Sequence, residues 1–522
     1  MEVTIARDCK AYPHKKHWQF CVGSGHAALA LRTDYTRQLK FIHEELGIER
    51  VRFHGIFNDD MNTLHTLADL MPFPGAEQFT EQSFRACGVA YDNVLAAGMK
   101  PFVELGFMPG KLAARDDRGM FFYKPVISPP ADYGAWAEYI KAFLRFLIHR
   151  YGGEEVRTWY FEVWNEPDLP VFFSGTRDEY FKLYEVTARA VKEVDEKIKV
   201  GGPATSGSKW VRSFVEFCEK NHVPVDFVTT HQYAGDPLGG VEDQGDMEGG
   251  GQPEFHFEMP DLSAVQEKSF LGGQRAIMPD QSEARDIPND VFFRNSAVVQ
   301  EQAKGLPVYY TEWNENAGFS SYTNDTRKVA AYDVKAALDT ADAVTGSSIW
   351  CFSDIFEELH PFPQPFHGGF GMLTQDGVPK PVFYGMKLLA EAGDQRLDLG
   401  GDATKGEIGI AAFRKGETTQ VLLFRQKMKN LDLPKEPVTL RVECEKKPRG
   451  VTVSRIDEEH CNPLKLWEEM GQPQDMNPQE VEALKAATSM KKEPWDFTWD
   501  NGEAVVSAAL GVNDIYFVEI QT

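Results

Sequence analysis

Arg157-Thr-Trp-Tyr-Phe-Glu-Val-Trp-Asn165-Glu166-Pro167 is the stretch on which the reading of this chain turns. Up to Trp164 it is apolar, aromatic and β-branched without a breaker, the composition of a buried strand. It then presents an amide, a carboxyl group and a proline that stops the strand and fixes the turn. Glu166, next to Trp164 and under that turn, is expected to be partly desolvated. Desolvation favours the neutral acid, the form that can donate a proton. Taken alone, a Glu at a strand end is equally readable as half of an ordinary ion pair.

A second stretch repeats the pattern. Leu306-Pro-Val-Tyr-Tyr-Thr-Glu312-Trp313-Asn314 is a short apolar strand ending in a carboxylate flanked by aromatics. Two carboxyl groups at two strand ends are the equipment of glycoside hydrolysis. One protonates the leaving oxygen, and the other attacks the anomeric carbon or activates a water.

Working outward, strands and helices alternate from Trp18 to about Gly393. Strands are expected at Trp18–Gly23, Arg50–Phe57, Lys100–Phe107, Thr158–Trp164, Ile198–Pro203, Val225–Tyr233, Pro307–Trp313 and Ser347–Phe352. Amphipathic helices fall between them: Asp34–Leu46, Thr80–Ala97, Tyr133–Tyr151, Glu179–Val194, Lys209–His222, Asp290–Ala303, Arg327–Ala343 and Val382–Ala392. Eight such units mean an α/β fold, a (β/α)8 TIM barrel; an open doubly wound sheet is the alternative. In a barrel, the ends of the fourth and seventh strands bring Glu166 and Glu312 to one opening. Other strand ends interleave polar and aromatic groups, among them Arg52 and His54, Glu104 and Phe107, His231 and Tyr233, and Trp350, Asp354, Glu357 and Glu358. That mixture suits a pyranose, with its hydroxyl edges and flat apolar faces.

After the barrel the period changes to two. Ile408–Arg414, Thr419–Gln426, Val438–Cys444, Gly450–Asp457, Ala504–Ala509 and Ile515–Ile520 read as an accessory all-β sandwich, with Val3–Ala6 as an added edge strand. A small helical segment, Pro463–Met470 and Pro478–Met490, interrupts them. The expected limits are 14–393 for the barrel, and 1–13 with 394–522 for the sandwich, whose helical insertion spans about 461–493.

Composition narrows the function. With 522 residues, 42% of them hydrophobic, the chain can bury a large core. A net charge of −24 argues against nucleic acid or an anionic membrane surface as partner and is compatible with a neutral sugar. The N-terminus lacks the basic start and apolar core of a signal peptide, and no run of about 18 apolar residues occurs. Seven scattered cysteines without a CxxC pair read as reduced thiols of a cytoplasmic protein. Ile456-Asp-Glu-Glu-His460-Cys-Asn-Pro463 has irregular ligand spacing and is assigned a structural polar role. No metal site and no cofactor are expected. The connection from Ala234 to about Asn289, with its acidic Glu242–Asp246 run, is long enough to wall one side of the pocket or to form a subunit contact.

Five motifs together resemble glycoside hydrolase family 39, and its bacterial β-xylosidases in particular: Phe161-Glu-Val-Trp-Asn-Glu-Pro, Tyr310-Thr-Glu-Trp-Asn, Val51-Arg-Phe-His-Gly-Ile-Phe, Phe352-Ser-Asp-Ile-Phe-Glu-Glu and Phe366-His-Gly-Gly-Phe-Gly. The tail motif beginning at Arg455 resembles that family's accessory region. The resemblance implies a retaining exo-glycosidase that removes β-D-xylosyl residues from the non-reducing end of short xylo-oligosaccharides. It implies Glu166 as acid/base and Glu312 as nucleophile. It also implies Asn165 at the sugar 2-hydroxyl, and His54, His231, Tyr233, Trp350, Glu357 and Glu358 around the sugar, with Arg52 among the matched residues. A homo-oligomer, dimer or tetramer, is implied too. An endo-xylanase, an iduronidase-like enzyme, a metal-dependent sugar isomerase built on His54, His231 and Asp354, and a non-catalytic sugar-binding protein are the alternatives.

Overall fold

The computed structural model describes residues 1–234, 261–277, 280, 283, 286–358, 361–400, 404, 406–429 and 431–522. The Glu242–Asp246 run lies outside them. Eight parallel strands close into one barrel in chain order: β1 Cys21–His26, β2 Arg50–His54, β3 Lys100–Leu105, β4 Tyr160–Val163, β5 Lys199–Thr205, β6 Phe227–Tyr233, β7 Val308–Asn314 and β8 Gly346–Ile349. The helices that follow them are α1 Thr33–Leu46, α2 Arg85–Ala96, α3 Tyr133–Tyr151, α4 Arg177–Val194, α5 Val211–Asn221, α6 Val291–Gln302, α7 Arg327–Asp339 and α8 Pro381–Glu391. The fold is the (β/α)8 barrel that the alternation implied.

Two boundaries moved for physical reasons. The first strand starts at Cys21 rather than Trp18, because His17–Gln19 forms a turn of 3-10 helix. The buried His17 ring pins that turn, with Nδ1 2.9 Å from Ser347 Oγ and Nε2 3.0 Å from the Ala337 carbonyl. The second helix starts at Arg85 rather than Thr80, because Thr80–Gln82 pairs with Leu64–Thr66 as a small antiparallel ribbon. Backbone groups committed to that ribbon cannot also begin a helix.

Period-2 alternation stacks the barrel interior in layers. Phe102, Tyr160, Phe227 and Tyr309 form an aromatic floor with Phe20. Two residues further along their strands, Glu104 and Glu162 point to the same side, level with Arg52 of β2. Above that layer lie the strand ends.

Two antiparallel sheets complete the fold. A four-stranded one runs Glu2–Ile5, Glu436–Glu443, Glu503–Leu510, Phe497–Asp500. Glu2–Ile5 pairs parallel to its neighbour and forms the expected edge. A seven-stranded one is centred on Gly450–Ile456, Ile515–Gln521, Thr418–Phe424 and Gly409–Lys415. Alternation buries the seven-stranded sheet on both faces. Val421, Leu423, Val518 and Ile520 meet Leu440 and Val506 of the other sheet. Leu422, Phe424, Ile515 and Phe517 belong instead to the barrel's core. The strands Ala11–Pro13, Gln395–Leu397, Lys492–Pro494 and Phe497–Asp500 are additions to those expected. Helices Pro463–Glu469 and Pro478–Thr488 occupy the expected helical stretch. His460 there bonds Asp457 at 2.6 Å and Arg455 at 2.9 Å, a structural polar knot.

Among the described residues no helix is long and apolar enough to cross a membrane. The cysteines at 9, 21, 87, 218, 351, 444 and 461 are all free thiols.

Candidate active site

The site begins where β4 ends. Trp164 and Glu166 both adopt left-handed backbone angles, with φ of +73° and +41°. Non-glycine residues there cost about 1–3 kcal/mol each and persist only when their surroundings hold them. Here the holding is explicit. The Glu166 N–H donates to the Ala204 carbonyl at 2.8 Å, and the Trp164 indole N–H donates to the Phe172 carbonyl at 2.9 Å. The turn swings Glu166 into the barrel mouth, 8% exposed.

On β7 a bulge does the equivalent work. Thr230 pairs with Tyr310 but His231 pairs with Glu312, so Thr311 is an extra residue in the ladder. A bulge re-aims side chains. Thr311 donates to Glu162 inside the barrel at 2.7 Å, and the next residue, Glu312, also turns inward. Single oxygens of Glu166 and Glu312, with one His231 nitrogen, all lie within 4.8 Å of one another.

Arg52 organises the charges. Fully buried, it donates Nε–H to Glu162 at 2.6 Å, Nη1–H to Glu312 at 2.9 Å and Nη2–H to the Asn165 side-chain oxygen at 2.9 Å, with Glu104 3.2 Å from Nη2. The Asn165 amide is thereby oriented with its oxygen toward Arg52. Tyr233 donates its hydroxyl to the other Glu312 oxygen at 2.8 Å. Burial alone would raise the Glu312 carboxyl. His231, Arg52, His54 and the Tyr233 hydroxyl outweigh it and hold Glu312 below the ordinary carboxylate range. Glu312 is thus kept as an anion.

His231 Nδ1 is hydrogen-bonded to Glu166 Oε1 at 2.9 Å, and its Nε2 is buried without a partner among the described residues. Burial lowers the His231 pKa more than the neighbouring carboxylates raise it. His54 is joined to Glu104 at 2.6 Å and lies 3.5 Å from Glu358. Burial, then repulsion from Glu312, Glu104 and Glu166, raises the Glu358 carboxyl far above its usual range. Glu358 therefore keeps a proton that a buried polar ligand can share. Trp350 stands beside His54, ring centroids 4.9 Å apart. Its indole fits because residue 23 is glycine: a Cβ there would sit 2.4 Å from the ring.

The structure thus gathers Arg52, His54, Asn165, Glu166, His231, Tyr233, Glu312, Trp350 and Glu358 around one opening. Glu357, at a left-handed φ of +49°, pairs its carboxylate with Arg32, and both line a cleft of about 190 Å3. Asp354 is also engaged elsewhere. It forms a 2.6 Å ion pair with the buried Lys380, so His54, His231 and Asp354 are not a converged ligand set. Of the trio Glu166, His231 and Glu312, the Glu166–His231 hydrogen bond and the Arg52 and Tyr233 contacts to Glu312 already occupy the donor atoms. Those contacts suit proton transfer and charge stabilisation.

Glu104, expected at the end of the third strand, joins the site through Arg52 and His54. Sequence reasoning missed Glu162, and Phe121, whose ring is stacked 5.7 Å from that of His54. Glu162 carried a signal: it stands two residues beyond the inward-facing Tyr160. The long sixth connection contributes, from its described part, helix Phe270–Ile277, whose Leu271 packs in one cluster with Tyr233, Trp350 and Phe356.

Comparison with known proteins identifies the family. The model of Glycosyl hydrolases family 39 matches residues 1–242 and 269–503. A β-xylosidase of Caldicellulosiruptor saccharolyticus is 36% identical over 495 residues, covering 94% of this chain and 92% of that protein. One from Geobacillus stearothermophilus is 32% identical over 513 residues, 97% of this chain and 93% of its own length. The crystal structure of a monomeric β-xylosidase from Caulobacter crescentus CB15 superposes with a TM-score of 0.79 at 29% identity, covering 100% of this chain and 99% of that one. With matches spanning nearly its whole length and two carboxyl groups facing each other in the barrel mouth, this chain belongs to glycosyl hydrolases family 39 and is a glycoside hydrolase.

Proposed function

We propose that the chain is a retaining, exo-acting β-xylosidase that releases β-D-xylose from the non-reducing end of short xylo-oligosaccharides. The observation that carries the reading is the approach of Glu166 and Glu312 oxygens to within 4.8 Å. Retaining enzymes hold their carboxyl groups about 5–5.5 Å apart, inverting ones roughly 6.5–9.5 Å. The β-xylosidases at 36% and 32% identity support the choice of sugar.

In this mechanism Glu312 attacks the anomeric carbon while Glu166 protonates the glycosidic oxygen, giving a covalent xylosyl-enzyme. The nucleophile is already ionised, because Arg52 and Tyr233 stabilise its charge. His231 Nδ1–H donates to Glu166 Oε1 and orients that carboxyl group. In the second step Glu166, now a carboxylate, draws a proton from water. That water displaces Glu312, and xylose leaves with its configuration kept. Asn165 presents its amide N–H to the 2-hydroxyl, an interaction that strengthens as oxocarbenium character develops. His54, Trp350 and Glu358 bind the rest of the ring.

A uronic acid substrate is disfavoured. Arg52, the cation in the pocket, is committed to Glu162, Glu312, Asn165 and Glu104. The free thiols support a cytoplasmic setting. Self-association as a dimer or tetramer is measured by light scattering, a monomer being the contrary outcome.

Variants test the chemistry. Glu312→Ala should abolish turnover. Glu166→Ala should still be glycosylated by an aryl xyloside with a good leaving group, turn over slowly, and recover with external azide. An inverted product anomer by NMR, or full activity in Glu312→Ala, would overturn the reading.

A further inference from the structure

The connection between β3 and α3 contains a hairpin that the sequence did not announce. Arg118 and Val126 bridge antiparallel, the Gly119 N–H donates to the Pro125 carbonyl at 2.8 Å, and Lys124 turns the tip with φ of +49°. The tip crosses the barrel mouth. Phe122 donates its N–H to the Glu358 carbonyl at 2.7 Å, which ties the third connection to the end of β8. The three aromatics of the tip diverge. Phe121 is buried on His54 and Phe172, Phe122 is 67% exposed, and Tyr123 stacks on His26 with ring centroids 3.8 Å apart.

The Tyr123 hydroxyl is buried and has no hydrogen-bond partner among the described residues. A buried hydroxyl left unmet is costly, and native proteins rarely keep one without use. Burial and the charges of Glu358, Glu104 and Asp60 push its pKa well up, so it remains a neutral donor beside carboxylates of the pocket. Further orphaned atoms lie in the same site: Glu358 Oε1, Glu104 Oε1 and His231 Nε2. They read as the imprint of a polyhydroxy ligand.

Topology fixes which end of that ligand the hairpin meets. In an eight-stranded barrel the ends of β4 and β8 are diametrically opposed. Glu166, which serves the leaving group, follows β4; Glu358, to which the tip is bonded, follows β8.

Building on the β-xylosidase reading, we propose that the Arg118–Val126 hairpin is the end wall of the sugar pocket. Phe121 closes the side opposite the leaving group, and Tyr123 bonds a hydroxyl at the far end of the terminal sugar. The wall is what makes the site accept a chain end and refuse a chain interior.

The test uses an aryl β-D-xylobioside, its analogue 4-O-methylated on the terminal xylose, and the plain aryl β-D-xyloside. The intact enzyme should hydrolyse the methylated substrate at least about 100-fold more slowly than the unblocked one. Replacing Gly119–Pro125 with a three-residue Gly-Asn-Gly turn should accelerate the methylated substrate at least about tenfold over the intact enzyme, whatever is lost on the xyloside. Tyr123→Phe should raise KM for the xyloside about tenfold with a smaller change in kcat and a thermal midpoint no lower than that of the intact enzyme. A folded short-hairpin variant that discriminates as strongly as the intact enzyme overturns the proposal, as does a Tyr123→Phe enzyme with unchanged KM. If the short-hairpin variant does not fold, the Tyr123→Phe result decides. If the intact enzyme prefers a different aryl glycoside, the sugar assignment fails instead, and the same comparison on the blocked disaccharide of that sugar decides the wall.

Discussion

Arg52 makes its shortest ion pair with Glu162, 2.6 Å away, and a longer one with the candidate nucleophile Glu312, at 2.9 Å. One guanidinium thus serves carboxylates in two layers of the barrel. Glu162 never reaches the mouth, yet it sets how much of the arginine's field Glu312 receives.

Glu162→Gln keeps the shape and removes the charge. With its competitor neutral, Arg52 should hold Glu312 as an anion to lower pH. The acid limb of the kcat/KM profile should move down by about 0.5–1 pH unit, and kcat/KM at neutral pH should fall about tenfold as Arg52 shifts. A pH–rate series measures both. An unmoved acid limb would reduce Glu162 to a packing role.

His17 makes stability depend on pH. Buried, it is lowered from the usual 6.5 to about 4, burial outweighing its bond to the Ala337 carbonyl. A depressed histidine contributes stability that is present above its unfolded pKa. As pH falls from 6.5 toward 4 the unfolded chain gains a proton that the native ring refuses. The expected loss is about 2–3 kcal/mol over that range for this residue alone. Thermal melts of the parent and of His17→Gln, compared at pH 7 and pH 4.5, should show the variant losing less.

Asp333, in the middle of α7, has both carboxylate oxygens buried without a hydrogen-bond partner among the described residues. Burial, then repulsion from Glu315, raises its pKa well above the normal range. A carboxyl raised on folding destabilises increasingly as pH climbs above the unfolded value, near 3.8. Asp333→Asn should therefore stabilise by about 1–3 kcal/mol at pH 7 and by nothing at pH 3.5. Equal effects at both pH values would refute the charge argument.

Lys380 is the opposite case. Its buried ammonium sits 2.6 Å from both Asp325 and Asp354 and donates to the Gly369 carbonyl at 3.0 Å. Lys380→Met strands two carboxylates, an error worth about 3–5 kcal/mol. Denaturant unfolding should show that loss. The double variant with Asp354→Asn should recover part of it.

What the sequence disclosed follows from what it encodes locally. Strand ends marked by Asn165-Glu166-Pro167 and by Glu312 are visible because a breaker or a charge interrupts an apolar run. Arg52 and His54 are visible for the same reason. Glu162 is overlooked because a charged residue inside an apolar strand reads as the strand's polar face. Only closure into a barrel turns that face into the interior. Glu357 and Glu358 are neighbours in sequence and were read as a pair, but Glu357 pairs with Arg32 while Glu358 lies beside His54. The Arg118–Val126 hairpin depends on contacts to Glu358 and His26, far away along the chain, which no local pattern reports. The Thr311 bulge that aims Glu312 is likewise a product of pairing register between strands.

Strand Glu2–Ile5 pairs, among the described residues, with Glu436–Glu443, more than four hundred residues later. During synthesis on the ribosome it must wait, unsheltered, while the barrel emerges. Its partner strand in turn pairs with Glu503–Leu510, later still. The four-stranded sheet is therefore completed by one late event. A nascent chain stalled before that event would display a bare edge strand, a natural handle for chaperones and proteases.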